Sequence, residues 1–159
     1  MNALSSTLLR WLRRSLVDGT IAAVASGSAL AVAGQRQYGR GPSAINALSH
    51  VVWGDRALRR NEMSLRYTGA GAAIHQANAW LWAGLYEALR IARRRHTPLN
   101  AVVDAAAVTA VAAAVDLKLR PQRLAPGFER RLTPQRTFWV YATLGAGLAL
   151  GGLLGMRHR

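Results

Sequence analysis

The stretch FWVYATLGAGLALGGLLGM, Phe138 to Met156, decides how this chain is read. Its only ionisable side chain is the Tyr141 phenol. In length it approaches the roughly 20 residues that a helix needs to cross about 30 Å of hydrocarbon. Phe138, Trp139 and Tyr141 cluster at one end, where amphipathic rings favour the headgroup layer. Thr133-Pro134 leads in, a hydroxyl cap followed by a residue that needs no helical N–H partner. Gly147, Gly151 and Gly155 recur at four-residue spacing. Helices in lipid gain little hydrophobic energy by meeting, so a stripe of this kind brings backbones into van der Waals contact. The glycines are therefore candidate helix-packing residues, and copies of the chain could self-associate through them.

Three more stretches share this character. Ser15 to Gly34, Tyr67 to Leu89 and Leu99 to Leu117 contain no Arg or Lys, and Thr97-Pro98 opens the third as Thr133-Pro134 opens the fourth. The fold expected is an all-α integral membrane four-helix bundle. It forms one domain over residues 1–159, with spans at about 15–34, 67–89, 99–117 and 138–156. A mean hydropathy of +0.07 suggests a soluble protein only because charges are segregated between the apolar runs.

Basic residues total 21 against 7 acidic, a net charge of +14, and all but Lys118 are arginine. That balance attracts a polyanion, either nucleic acid or the anionic headgroups of a bilayer. The absence of cysteine excludes disulfides, thiolate metal sites and cysteine nucleophiles.

The connections add detail. Between the first two spans, Ile45, Leu48 and Val52 fall on one helical face with Arg56, Arg59 and Arg60 following, which predicts a short helix over about 43–60 in the interface plane. The tight, basic RIARRRHTP makes spans two and three an antiparallel hairpin, with Arg93, Arg94 and Arg95 placed to contact lipid phosphates. Pro121, Pro126-Gly127 and Pro134 predict an ordered, turn-rich loop before the last span. Arg10, Arg13 and Arg14, followed by an apolar run and Ala31-Val32-Ala33, also fit a cleavable secretory signal. The arginines around the first span and the cluster after the second favour cytoplasmic termini, although a raw count of basic residues opposes that orientation.

Polar groups interrupt the apolar runs. Threading the helices up and down puts Asp18, Glu87 and Asp104 at the end holding the N-terminus, beside Arg14, Arg90 and Arg93. Asp18, Glu87, Arg90 and Asp104 are thus candidate interfacial ion pairs. His75, Gln76 and Asn78 fall in the opposite half with Asp116 and Lys118. His75, Asn78 and Asp116 form a candidate intramembrane polar site: a hydrogen-bonded seam between helices or, more sharply, a proton or cation site.

No P-loop, nucleophile elbow, zinc-protease motif or calcium loop occurs, and His50, His75, His96 and His158 lie at no metal-ligand spacing. No enzymatic chemistry, cofactor, metal or nucleic-acid partner is expected. The segments PSAINALSHVVWGD (Pro42 to Asp55) and VDLKLRPQRLAPGFERRL (Val115 to Leu132) resemble those of a group of small proteobacterial inner-membrane proteins with four predicted spans. The resemblance implies a bacterial inner membrane, carries over no functional residue, and marks His50, Trp53, Asp55 and Glu129 as a candidate loop site, with Pro126 and Gly127 beside them. The expected role is structural or accessory. The alternatives are a small proton- or cation-linked transporter or channel acting as an oligomer, and a soluble basic helical domain that binds nucleic acid.

Overall fold

A computed structural model describes residues 3–93 and 96–156. Among them the chain is all-helical, with six α-helices and no strand.

Helix α1 (Ala3–Tyr38) is 36 residues long, about 54 Å at 1.5 Å per residue. It begins well before the apolar stretch that marked it, because nothing between Ala3 and Tyr38 breaks a helix and the Leu- and Arg-rich start has good helical propensity. Gly39 stops it with φ +65°, its N–H bonded to the Gln35 carbonyl at 2.9 Å. Ser15, Thr20, Ser26 and Ser28 return their hydroxyls to carbonyls four residues back at 2.7–2.8 Å, which satisfies them without solvent.

The single interfacial helix expected over 43–60 is broken into three. Helix α2 (Pro42–Leu48) ends at Ser49, α3 (His50–Trp53) is one turn long, and a 3-10 segment follows over Gly54–Arg59. The breaks have local causes: the Ser49 hydroxyl bonds the Asn46 carbonyl at 2.7 Å, and Gly54 takes φ +64°. Leu48 is buried as expected, but Val52 points outward. Helix α2 packs on α1 and α4 and closes one end of the bundle.

Helix α4 (Ala70–Ala92) is entered through a π turn, Leu65–Gly69, whose start is capped by the Ser64 hydroxyl accepting the Tyr67 N–H at 3.1 Å. Helix α5 (Pro98–Ala114) begins as its Thr-Pro pair predicts, with the Thr97 hydroxyl accepting the Asn100 N–H at 3.1 Å. It runs on through a second π turn, Val115–Leu119. Helix α6 (Pro134–Met156) starts with the Thr133 hydroxyl accepting the Arg136 N–H at 3.4 Å.

The four long helices form a ring in which α1 and α5 each lie between α4 and α6. The α1–α6 seam is the most extensive, and the glycine stripe makes it. A Cβ at Gly147 would stand 2.5 Å from the Ala22 Cα, and one at Gly151 2.8 Å from the Asp18 carboxyl carbon. One at Gly155 would strike the Arg14 guanidinium. The stripe thus serves α1 of the same chain, and all three glycines are buried. Ala22, Leu30, Ala83, Tyr86, Ala112, Leu144 and Leu148 fill the interior. The outside carries Val24, Val32, Leu81, Val103, Val111, Phe138, Trp139 and Leu150, all exposed.

Three helical stretches are long and apolar enough to cross a membrane: Leu4–Tyr38, Pro98–Leu119 and Pro134–Met156. Helix α4 matches them in length but carries His75, Gln76, Asn78, Glu87 and Arg90, and it is not among them.

Candidate functional site

The interior holds two polar clusters, one toward each end of the bundle. The first gathers around Asp116, which the π turn after α5 directs inward so that it is only 1% exposed. Its carboxylate meets the Arg120 Nε at 3.2 Å, accepts the Tyr141 hydroxyl at 3.1 Å and accepts the Asn78 amide at 3.4 Å. Arg120 also donates to the Asn78 carbonyl oxygen at 3.1 Å, so Asp116, Arg120 and Asn78 close a ring of three side chains, with Tyr141 of α6 attached through Asp116. His75 does not join that ring. Its Nε2 lies 3.0 Å from the Ser26 hydroxyl of α1, which donates to the Ala22 carbonyl. Between the two groups is a cavity of about 20 Å³ lined by Ser26, His75, Asn78, Asp116 and Tyr141, with Leu48 on its wall. That is room for one water with polar partners on several sides.

Sequence reasoning singled out three members of this cluster and missed three. Arg120 takes the place expected for Lys118, which is exposed. The available signal was its i, i+4 spacing from Asp116. Tyr141 was expected in the headgroup belt with Phe138 and Trp139. Those two are 63% and 62% exposed, whereas Tyr141 is 7% exposed and turned inward. Ser26 gave no signal, since a helical serine bonded to its own backbone looks the same wherever it points.

The second cluster occupies the end that holds the N-terminus. Arg14 pairs with Asp18 at 3.1 Å and donates to the Gly151 carbonyl at 2.8 Å. Arg90 pairs with Glu87 at 3.4 Å and donates to the Tyr86 hydroxyl at 3.0 Å and the Gly152 carbonyl at 3.3 Å. Tyr86 hands its own proton to the Ala101 carbonyl at 3.2 Å, and Arg93 pairs with Asp104 at 2.7 Å. The candidate interfacial residues are thus paired and packed between helices: Asp18, Glu87, Arg90 and Asp104 are all 3% exposed or less. The glycines of α6 explain the depth, since helices in such close contact leave carbonyls within reach of guanidinium groups. Arg93 is engaged by Asp104, while Arg94 and Arg95 lie outside the described residues.

The candidate loop site is a cap. Asn46 donates to the Arg60 and Glu62 carbonyls at 3.0 and 2.9 Å and accepts the Thr68 hydroxyl at 2.7 Å. Arg131 donates to Asn61 at 2.7 Å and to the Ser43 carbonyl at 3.3 Å, and lies 4.0 Å over the Tyr38 ring. His50, 2% exposed, has Nδ1 at 3.0 Å from the Ala47 carbonyl and Nε2 at 3.2 Å from the Gln122 carbonyl. Trp53 donates to the Arg66 carbonyl at 3.0 Å under the Arg66 guanidinium, and Asp55 pairs with Arg130 at 3.0 Å. Burial pushes the Glu129 carboxyl above its ordinary value of 4.5, against the opposing pull of the Glu129 and Gly127 backbone and of nearby His50 and Arg130. The four residues are thus distributed around one cap, with His50 and Arg130 acting on Glu129. Asn46 and Arg131, its most connected members, had no distinguishing sequence signal.

Among the described residues, no three His, Asp or Glu side chains are placed to hold a metal ion. No family model matches the chain, and neither does any curated protein or solved structure.

Proposed function

We propose that this chain is a multi-pass protein of a bacterial inner membrane, with α4 as a fourth span, both termini cytoplasmic, and a structural or accessory role without enzymatic chemistry. One observation carries the reading: the buried charges of the interior pair within the protein, and the cavity between His75 and Asp116 has room for one water. Support for α4 as a fourth span comes from its exposed Trp80, Leu81 and Leu85 on one side and its contacts with α1 and α5 on the other. Carbonate extraction is the test. Retention in the pellet supports the reading, and release into the supernatant overturns it in favour of a soluble, basic nucleic-acid-binding domain.

A second reading rests on the cavity itself. A water joining His75 to Asp116 is the minimum element of a proton path, so the chain would be a small proton-linked transporter. Proton uptake in proteoliposomes that is lost in Asp116→Asn, with the fold retained, favours this reading; flux at the level of empty vesicles removes it.

A further inference from the structure

At the end of the bundle where α1 starts, a pocket of about 510 Å³ opens between the start of α1, the end of α4 and the end of α6. Thr7, Arg10, Arg13 and Arg14 line one wall, Ile91 and His96 another, with Glu87 and Gly155 at its inner side. Two charges at the inner side are already matched, Arg14 by Asp18 and Glu87 by Arg90. Arg10 and Arg13 are not. Arg10 donates to the Thr7 hydroxyl at 3.3 Å, and among the described residues neither arginine has a carboxylate within ion-pair distance. The pocket therefore gathers two guanidinium groups that no carboxylate of the described residues compensates. A hydroxyl and an imidazole stand beside them.

We propose that this pocket binds a phosphate group, and that the phosphate belongs to an anionic phospholipid. Guanidinium is the side chain whose planar fork fits phosphate oxygens two at a time. Residues i and i+3 on one helix, as Arg10 and Arg13 are, can close on one group from the same side. The lipid source follows from the surroundings. Leu9, Leu12 and Leu16 are exposed on the same stretch of α1, and Ile91 on the pocket wall is 43% exposed, so apolar surface for acyl chains lies next to the charged recess. The inference rests on the membrane reading above and adds a discrete headgroup site to it.

The test uses the full chain purified in neutral detergent, with Tm measured during titration of phosphatidylglycerol, phosphatidylcholine or inorganic phosphate. The key variant is Arg10→Gln with Arg13→Gln, both exposed and outside the buried pairs. Arg56→Gln with Arg59→Gln, exposed at the far end, is the control. Phosphatidylglycerol should raise Tm saturably for the wild type and the control where phosphatidylcholine does not, with half-saturation shifted at least about tenfold in the key variant. Equal responses in all three proteins overturn the proposal, because attraction would then be general to a basic chain. An equal response to inorganic phosphate, lost in the key variant, upholds the phosphate site but overturns its assignment to lipid. The key variant should remain in the carbonate pellet; a wild type that leaves the pellet rejects the membrane reading separately.

Discussion

At the scale of single residues, a polar group in this interior is stabilised by the number of its partners. Asp116 has three side-chain partners, and hydrogen bonds to a charged group contribute about 1.5–3 kcal/mol each. Tyr141→Phe should therefore lower stability by about 1–2 kcal/mol in a detergent thermal melt while leaving the cavity lining otherwise intact. Arg90→Met removes the one cation paired with buried Glu87 among the described residues and should cost about 3–5 kcal/mol. A loss below about 1 kcal/mol would show that Glu87 finds another partner. Gly127 is fixed twice over, by φ +86° and by a Cβ position 2.5 Å from the His50 Nδ1, so Gly127→Ala should unseat His50 and cost about 2–3 kcal/mol. For Glu129, burial favours the protonated form, so its contribution to stability is present below the ordinary value of 4.5 and declines as pH rises through its folded value. Glu129→Gln should remove that decline, so the Tm of the variant relative to wild type should rise as pH increases above the ordinary value of 4.5. His75, Asn78 and Asp116 were legible because each is polar inside an apolar run. Their partners were not, because Ser26 and Tyr141 are ordinary residues of α1 and α6 until the helices are set side by side.

At the scale of elements, helix existence was legible and helix ends only in part. The two Thr-Pro starts were read from the sequence and found as side-chain caps. The π turns that lead into α4 and out of α5 left no pattern in the sequence, and the second of them sets the direction of Asp116. The break at Ser49 was invisible for a related reason: Ile45, Leu48 and Val52 keep helical spacing across it, but a serine hydroxyl and a glycine at φ +64° stop propagation. The glycine stripe offers the sharpest test at this scale. Gly147→Val introduces side-chain atoms where the Ala22 backbone stands and should separate α1 from α6, costing about 3 kcal/mol or more. Val at the outward-facing Ala146 should be nearly neutral. Comparable melts for the two variants would mean that the seam is looser than its geometry implies.

At the scale of the whole molecule, charge is sorted by position along the bundle axis. One end is closed by a cap in which the connections after α1 and after α5 meet, through His50 and Gln122 and through Asp55 and Arg130. The other end carries the pairs of buried Asp18, Glu87 and Asp104, while Asp116 and Arg120 pair on the cap side. Orientation was the least legible property, because basic residues divide nearly evenly between the two ends. A reporter fused after Arg159 should be active as a cytoplasmic fusion, and periplasmic activity would invert the proposed topology.

The carbonyls of Gly151 and Gly152 bear on biosynthesis. They are the α6 acceptors to which Arg14 and Arg90 donate, and α6 leaves the ribosome after both α1 and α4. Until it arrives, the nascent α1 and α4 each hold a guanidinium without its backbone partner. A chain halted before Pro134 thus lacks the α6 carbonyls that Arg14 and Arg90 use, a defect that is chemical as well as steric.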